Sequence, residues 1–258
     1  MDNLARAKAK QLLNEYCFTK PSEINLAEIA FGENLIIEET NLAGHLGRIV
    51  YKDRFGILKI DKGIRGEGEK RFVTAHEMGH FFIQNKNAKG CGQLDLMTFR
   101  SSQSIEQSAN DFAGELLMPA EWIIEFIKKE KPGIDLLKNT AEYFNVSISA
   151  AALKIAAMGT HPIAVIMSTD GKVKWSSINK YFPFKWIPNG YAVNNNSYAS
   201  DIFKEMKEGK TITDYGCNPV LADAWFWEDY NYKKYYYMYE QNIPMPNYNS
   251  VLTILWEK

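Results

Sequence analysis

The chain has 258 residues, is 46% hydrophobic and carries a formal net charge of -1. A soluble chain of this length can bury a large core and usually divides into two domains. The near-neutral charge excludes a global basic field that would hold nucleic acid or an anionic membrane.

The N-terminal sequence MDNLARAKAKQLLNEY is charged and has helical spacing up to about Tyr16. It lacks the apolar stretch of a signal peptide, and no later run approaches the roughly 18 apolar residues that span a bilayer. We therefore expect a cytoplasmic protein without a membrane anchor. The three cysteines, Cys17, Cys91 and Cys217, are widely spaced and form no CxxC pair, so we expect buried free thiols.

Pro21-Ser22 ends this first segment, and INLAEIAFGE predicts a second, short helix. Three runs rich in Ile, Val and Tyr come next: NLIIEET, GRIVYKD and FGILKID. They predict a small meander or hairpin sheet. We expect FGILKID, the last of the three, to be an edge strand of this sheet.

The segment RFVTAHEMGHFFI places two of the four histidines, His76 and His80, one helical turn apart. On a helix both imidazoles project from the same, largely apolar face, where they could supply two ligands to a metal ion. Glu77 projects about 100° away from His76, beside a metal, which suits a general base. Gly79 would let another backbone approach the helix. The alternative is a plain amphipathic helix whose histidines make local hydrogen bonds.

A catalytic zinc site needs a third protein ligand, and SIEQSANDFAGELLMPA predicts the helix that supplies it. Glu106 and Glu115 lie nine residues apart and therefore on opposite sides of that helix. The apolar stripe lies closer to Glu106, which we predict as the ligand. Glu115 and Asp111 are assigned to a solvated face. Asn110, one turn beyond Glu106, would hydrogen-bond the carboxylate of Glu106 or a nearby backbone group.

Residues 136–158 have the pattern of a helix, a turn and a second helix, the layout of a helix-turn-helix DNA-binding unit. The second helix offers only Lys154 as a base, whereas a recognition helix needs several groups for phosphates and base edges. We therefore favour a packing role over direct DNA binding.

Near residue 160 the pattern changes to a strand, an Asp170-Gly171 hairpin turn and another strand. This change divides the chain into a domain over 1–159 and a C-terminal α+β domain over 160–258. The aromatic residues of the C-terminal part predict a sheet core, or alternatively a surface that binds a ligand or a protein. His45 and His161 are interpreted as turn residues and not as catalytic groups.

Two of these segments, RFVTAHEMGH and EQSANDFAGELLMP, resemble the two motifs of the ImmA/IrrE family of metallopeptidases. The resemblance covers roughly residues 25 to 160. It implies a zincin-like domain, α+β in class, in which a small sheet is joined to the helix with HExxH. It also implies zinc held by His76, His80 and Glu106, with Glu77 as the base, and cleavage of a partner protein, typically a helix-turn-helix repressor of a mobile element or stress response.

Three functions follow from these patterns. The first is a zinc-dependent endopeptidase that makes a limited cut in a protein partner. The second is a catalytically silent ligand sensor or transcription regulator that keeps the fold, and the third is a protein with a structural metal. An intact Glu77 favours the first, because a structural site has no need of a carboxylate beside an open coordination position.

Overall fold

A computed structural model describes residues 3–52, 55–83, 103–229 and 235–257. The α+β class is confirmed, with helices and two separate sheets. The α-helices are α1 (Asn3–Glu15), α2 (Leu26–Gly32), α3 (Glu67–Ile83), α4 (Gln103–Leu117), α5 (Ala120–Ile127), α6 (Ile134–Phe144), α7 (Ile148–Met158), α8 (Tyr198–Lys207) and α9 (Asp223–Phe226). The strands are β1 (Leu35–Thr40), β2 (Gly47–Lys52), β3 (Phe55–Asp61), β4 (Ile163–Thr169), β5 (Lys172–Ile178), β6 (Asn218–Leu221), β7 (Tyr237–Met245) and β8 (Ser250–Glu257).

The chain forms two compact units that do not follow a single cut in the sequence. The first unit contains the described residues up to Ile123 together with Ala141–Ser147. The second contains Ile124–Thr140 and the described residues from Ile148 onward. Helix α6 therefore contributes its first part to one unit and its last part to the other. The predicted division into domains 1–159 and 160–258 stays a prediction, and its test is described in the Discussion.

The sheet of the first unit has the order β1-β3-β2, so the meander alternative is wrong, whereas the antiparallel pairing of β2 with β3 agrees with the hairpin alternative. Strand β3 pairs in parallel with β1 and antiparallel with β2. Leu58 and Ile60 of β3 are fully buried, as expected for a central strand. The expectation that FGILKID is an edge strand is therefore also wrong. The edge beside α3 belongs to β2, because Gly47 lies against side chains of that helix.

Helices α3 and α4 pack closely on each other, and Gly79 permits that approach. A methyl group at Gly79 would lie 3.0 Å from Cα of Ala109 and 3.1 Å from its carbonyl oxygen. Both contacts are with backbone, which cannot rotate away as a side chain can. The predicted role of Gly79 is confirmed, and it brings the ends of α3 side chains within reach of α4.

The predicted solvated position of Glu115 is wrong, because this side chain is only 1% exposed. Its Oε1 atom accepts a hydrogen bond of 3.1 Å from the backbone N–H of Ala120, the first residue of α5. The first N–H groups of a helix have no partner within the helix, so a carboxylate there is stabilised. The turn between α4 and α5 folds the carboxylate inward, which rotation about a single helix does not anticipate.

The second unit has a five-stranded sheet with the order β5-β4-β8-β7-β6 and only antiparallel neighbours. The predicted hairpin turn is confirmed, with φ of 52° at Asp170 and 71° at Gly171. Aromatic residues fill the core, and the core interpretation is confirmed for four that are at most 1% exposed: Phe182, Phe184, Trp225 and Phe226.

Helix α7 contacts β4 and β5 of the second unit. Its buried residues are small or apolar: Ala151, Ala152, Ile155 and Ala156. This contact covers one face of the second helix of the 136–158 segment, as the packing interpretation expects.

The cysteine prediction is wrong for Cys17 and Cys217, which are exposed, and Cys91 lies outside the described residues. Cys17 follows the end of α1 with a φ of 55°, a left-handed conformation that turns the chain away from the helix. None of the helices in the described ranges is both long and apolar enough to cross a membrane.

Candidate metal centre

Helix α3 presents His76 and His80 on its buried face, and each is 5% exposed. The helix is buried continuously from Val73 to His80, because it lies between the sheet and α4. The two Nε2 atoms are 3.0 Å apart. Two unprotonated imidazole nitrogens at this separation would repel each other, whereas a cation between them would attract both lone pairs.

Helix α4 brings Glu106 to the same point. Its Oε2 atom lies 3.2 Å from Nε2 of His76, and its Oε1 atom lies 3.3 Å from Nε2 of His80. One ligand atom from each of the three residues lies within 4.8 Å of the others. The group offers two nitrogens and one carboxylate oxygen, a set that could bind a divalent metal and leave a position open.

The environment keeps the carboxylate of Glu106 ionised. Burial by itself would raise the pKa of Glu106, but hydrogen bonds and charge from His76 and His80 outweigh it and lower this pKa to about 2. An ionised carboxylate is the form that binds a metal. The charge is therefore present for a cation at neutral pH.

Asn110 fixes the ring of His76. Its Oδ1 atom lies 3.0 Å from Nδ1 of His76, so the ring N–H donates to the amide oxygen. That bond orients the ring so that Nε2 lies toward Glu106. The sequence anticipated that Asn110 supports the site, but it predicted Glu106 or a backbone group as the partner. The actual partner is the histidine, because α3 and α4 lie side by side at this level.

Glu77 is 2% exposed, and its carboxylate faces β2. Burial raises the pKa of Glu77 to about 7, although the charge of His76 and a hydrogen bond from the backbone N–H of Ile49 favour the ionised form. The charge of Glu106 adds to the increase. The Oε1 atom of Glu77 is buried and has no hydrogen-bond partner within the described residues. A buried acceptor left in this state is costly unless a water molecule or a ligand occupies the site.

Strand β2 positions this carboxylate, which the sequence analysis missed. A methyl group at Gly47 would lie 2.8 Å from Oε1 of Glu77 and 2.7 Å from Cγ1 of Val73. Only glycine lets the strand come this close, and closeness lets Ile49 donate its N–H. The detectable signal was a glycine at the start of a predicted strand, which marks close approach of backbone.

The remaining candidates lie outside the cluster. Nε2 of His161 donates to the carbonyl oxygen of Glu130 at 2.7 Å, and Nδ1 lies 3.2 Å from Oγ1 of Thr160, which is a structural arrangement. The group that could hold a metal includes neither His45 nor Glu115. The structure thus brings together His76, His80 and Glu106, with Glu77 and Asn110 beside them.

Comparison with known proteins agrees with this geometry. Residues 36–156 match the family Peptidase_M78, described as an IrrE N-terminal-like domain. This part of the chain is therefore similar to an IrrE N-terminal-like domain. The resemblance to ImmA/IrrE metallopeptidases is therefore confirmed, and the zincin-like fold of the first unit with it. The matched range includes β1, β2 and β3 as well as α3 and α4, which carry every residue of the cluster.

A search of the curated proteins found no match to this sequence. Among solved structures, a Mycobacterium tuberculosis transcriptional regulator is similar to the IrrE-like chain, with a TM-score of 0.59 and 14% sequence identity. The alignment covers 99% of this chain and 88% of that one. At this identity the likeness shows a shared fold that extends beyond the IrrE-like domain to the C-terminal part.

Proposed function

We propose that the protein is a zinc-dependent endopeptidase that makes a limited cut in a partner protein. The observation that carries the proposal is the Oε1 atom of Glu77, which is buried, has no hydrogen-bond partner among the described residues, and lies beside the cluster of His76, His80 and Glu106. A structural metal site has no use for such an acceptor, whereas hydrolysis requires one. The match to a peptidase family supports the same conclusion.

The three ligands would be His76, His80 and Glu106, a two-histidine and one-carboxylate set that suits zinc. Asn110 would hold His76 in the tautomer that presents Nε2. When bound, zinc would act as a Lewis acid. It would polarise a peptide carbonyl and lower the pKa of water, so that water loses a proton more readily and becomes a better nucleophile.

Glu77 performs the proton transfers in this proposal. Its pKa near 7 lets it accept a proton from the attacking water and later give it to the departing amine. The Ile49 N–H holds one oxygen in place, which leaves Oε1 to receive the proton. The C–N bond of the peptide breaks, and the water provides the new carboxylate oxygen and the protons.

Within the described part of the chain, β2 has no strand on the side away from β3, and this edge supplies a place for the substrate backbone. The N–H of Asp61 donates to the carbonyl of Leu46 at 2.8 Å, so every second residue from Leu46 pairs with β3. The intervening residues Gly47 and Ile49 turn their backbone groups away from β3. Since the N–H of Ile49 is already bonded to Glu77, an extended substrate would pair with the carbonyls of these two residues.

Pairing with a strand edge requires an extended segment, so we infer that the enzyme cuts a flexible or locally opened stretch of one protein. The partner proposed is a helix-turn-helix regulator, and the C-terminal part would serve regulation or partner docking. The near-neutral net charge agrees with selective recognition, since no strong field would gather arbitrary proteins. Direct DNA binding is not proposed, because α7 buries one face and carries only Lys154 as a base.

The decisive experiment compares the full chain with its Glu77→Gln variant. Each protein, loaded with zinc, is incubated with a helix-turn-helix regulator encoded beside its gene and, separately, with casein. We expect a single cut in the regulator, a loss of about 10²-fold or more in the variant, and poor casein cleavage. Mass spectrometry maps the products. Casein cut at many sites, or a variant as active as the original, contradicts the proposal.

A second candidate is a catalytically silent ligand sensor or transcription regulator that keeps the peptidase fold. It is favoured by the name of one solved structure with a similar fold, which is called a transcriptional regulator. The same experiment separates the two, because a silent regulator would leave every regulator intact while retaining its zinc.

A further inference from the structure

The sheet of the first unit has one buried face and one exposed face, and the exposed face is unusually apolar. Residues facing outward alternate with those facing α3, as in any strand. Ile36 on β1, Ile57 on β3 and Val50 on β2 are direct neighbours across the sheet. They are 65%, 38% and 48% exposed. Phe55 lies on the same face of β3, two residues before Ile57, and is 68% exposed.

Basic side chains surround this apolar row. Arg48 and Lys52 point outward from β2, and Lys59 points outward from β3. The acidic residue Glu38 points outward from β1 beside Lys59. Asp61 at the end of β3 also faces outward, and hydrogen bonds from the backbone N–H groups of Leu42 and Gly63 lower the pKa of its carboxyl and keep it negatively charged. The outer face thus has an excess of positive charge around an apolar centre. We call these outward residues of β1, β2 and β3 the outer sheet face.

We propose that the outer sheet face binds an acidic amphipathic helix of the protein that is cut at the metal centre. This inference rests on the proposed function and adds the chemistry of the partner. A sheet buries an apolar face under a helix in most two-layer folds, and the inner face already does so beneath α3. A helix with an apolar stripe and flanking Glu or Asp residues complements the outer face in both shape and charge.

The excess of positive charge also decides against a second copy of the chain. Two outer sheet faces placed together would bring Arg48, Lys52 and Lys59 of both copies into one interface, six basic residues against four acidic ones. Like charges across an interface are unfavourable. An acidic partner removes this repulsion and makes it an attraction.

The outer sheet face is continuous with the candidate metal centre through β2. The side chains of Arg48 and Val50 belong to this face, while the N–H of Ile49, between them, holds Glu77. A helix on the face would therefore bring a connected extended segment to the edge where hydrolysis is proposed. The helix of the partner would dock on the outer face of β2, and the extended segment of the partner would be cut at the edge of the same strand.

The size of the face sets the expected affinity. Three strands of six or seven residues span roughly 14 Å by 20 Å, about 300 Å² for each partner. The total of about 600 Å² is below the roughly 1,200 Å² of stable complexes, so we expect a weak complex with a dissociation constant in the micromolar range or above. Weak docking suits an enzyme that must release its product.

The test measures peptide binding and not hydrolysis. Three fluorescein-labelled helical peptides of one template are used: one with a leucine stripe and flanking glutamates, one with lysines replacing the glutamates, and one with serines replacing the leucines. Fluorescence anisotropy is measured with the full chain carrying Glu77→Gln. We expect the glutamate–leucine peptide to bind at least about tenfold more tightly than either of the others, and added salt to weaken it.

Variants of the face locate the binding. Lys59→Glu and Ile36→Ser should each raise the dissociation constant of the glutamate–leucine peptide about tenfold or more. Lys59→Glu should also improve binding of the lysine peptide. Lys172→Glu and Ile124→Ser make the same changes at exposed positions of the second unit and should leave affinity unchanged. Circular dichroism and zinc content report whether each variant is folded.

Two results would overturn the proposal. One is equal binding of the acidic and basic peptides, or face variants that behave like the two controls. The other is a dimer in sedimentation experiments that Ile36→Ser abolishes, which would assign the face to a second copy. Since no step depends on hydrolysis, an inactive enzyme that binds the acidic peptide would count against the proposed function alone, and an active enzyme that does not bind it would count against this inference alone.

Discussion

At the scale of single residues, Glu106 and Glu115 are the same amino acid on one helix but have different surroundings. Glu106 contacts both histidines, whereas Glu115 holds the first N–H of α5. We predict that Glu106→Gln abolishes stoichiometric zinc binding, because it removes a ligand charge. Glu115→Gln should keep about one zinc per chain and lose about 1–2 kcal/mol of stability. Elemental analysis and urea unfolding measure the two effects. The reverse pattern of zinc content would show that the ligand is assigned wrongly.

Asn110 acts through His76 and not through direct contact with the proposed metal. We predict that Asn110→Ala lowers zinc affinity about 10–100-fold, because His76 loses the acceptor that fixes its tautomer and orientation. Asn110→Asp retains an oxygen at the same position and is the matched control. Competition with a chelator measures the affinity. If alanine and aspartate behave alike, the hydrogen bond to His76 does not support the site.

At the scale of helices, the contact between α3 and α4 can be tested with two identical substitutions. A methyl group at Gly79 meets backbone atoms of Ala109 at 3.0 Å, while one at Gly114 meets nothing within 4 Å among the described neighbours. We predict that Gly79→Ala costs about 1–3 kcal/mol, since it forces the helices apart. Gly114→Ala should stabilise by about 0.5–1 kcal/mol, since alanine favours a helix.

Chemical denaturation with tyrosine and far-ultraviolet signals measures both changes in the free energy of unfolding. Zinc content should fall in Gly79→Ala and stay unchanged in Gly114→Ala, because only the first displaces α4 and its ligand. Equal effects of the two substitutions would show that glycine at position 79 has no role in the approach of the helices.

At the scale of the whole molecule, the predicted domain boundary can be tested by truncation. All residues of the first unit lie before Ile148. We predict that a chain ending at Met158 folds and binds zinc. It should aggregate more than a chain ending at Ser147, because Ala152 and Ile155 of α7 become exposed when β4 and β5 are removed. Light scattering and zinc analysis compare the two. A folded chain ending at Met158 that cannot bind zinc would contradict the proposed separation.

Metal removal should affect the two units unequally, because all proposed ligands lie in the first. Zinc present at a hundred times its dissociation constant would stabilise that unit by about 2.7 kcal/mol. We predict that a chelator lowers the unfolding midpoint of the first unit and leaves the second unchanged. Of the six tryptophans, only Trp122 belongs to the first unit, so tryptophan fluorescence reports mainly on the second. A fluorescence midpoint that moves fully with the chelator would contradict independent units.

The sequence by itself determined the features that depend on local geometry. Any helix rotates about 100° per residue, so the spacing of His76 and His80 fixes their common face wherever the helix packs. The Asp170-Gly171 turn follows equally from local chemistry, because both residues tolerate positive φ. The order of the two motifs was sufficient to identify the family.

Only the tertiary structure decided what depends on which element lies beside which. The insertion of β3 between β1 and β2 changed the edge strand, and thus the strand that can receive a substrate. The burial of Glu115, the partner of Asn110 and the bond from Ile49 to Glu77 each join residues of two different elements. Periodicity describes one element at a time, so it cannot specify a contact whose geometry is set by the packing of two.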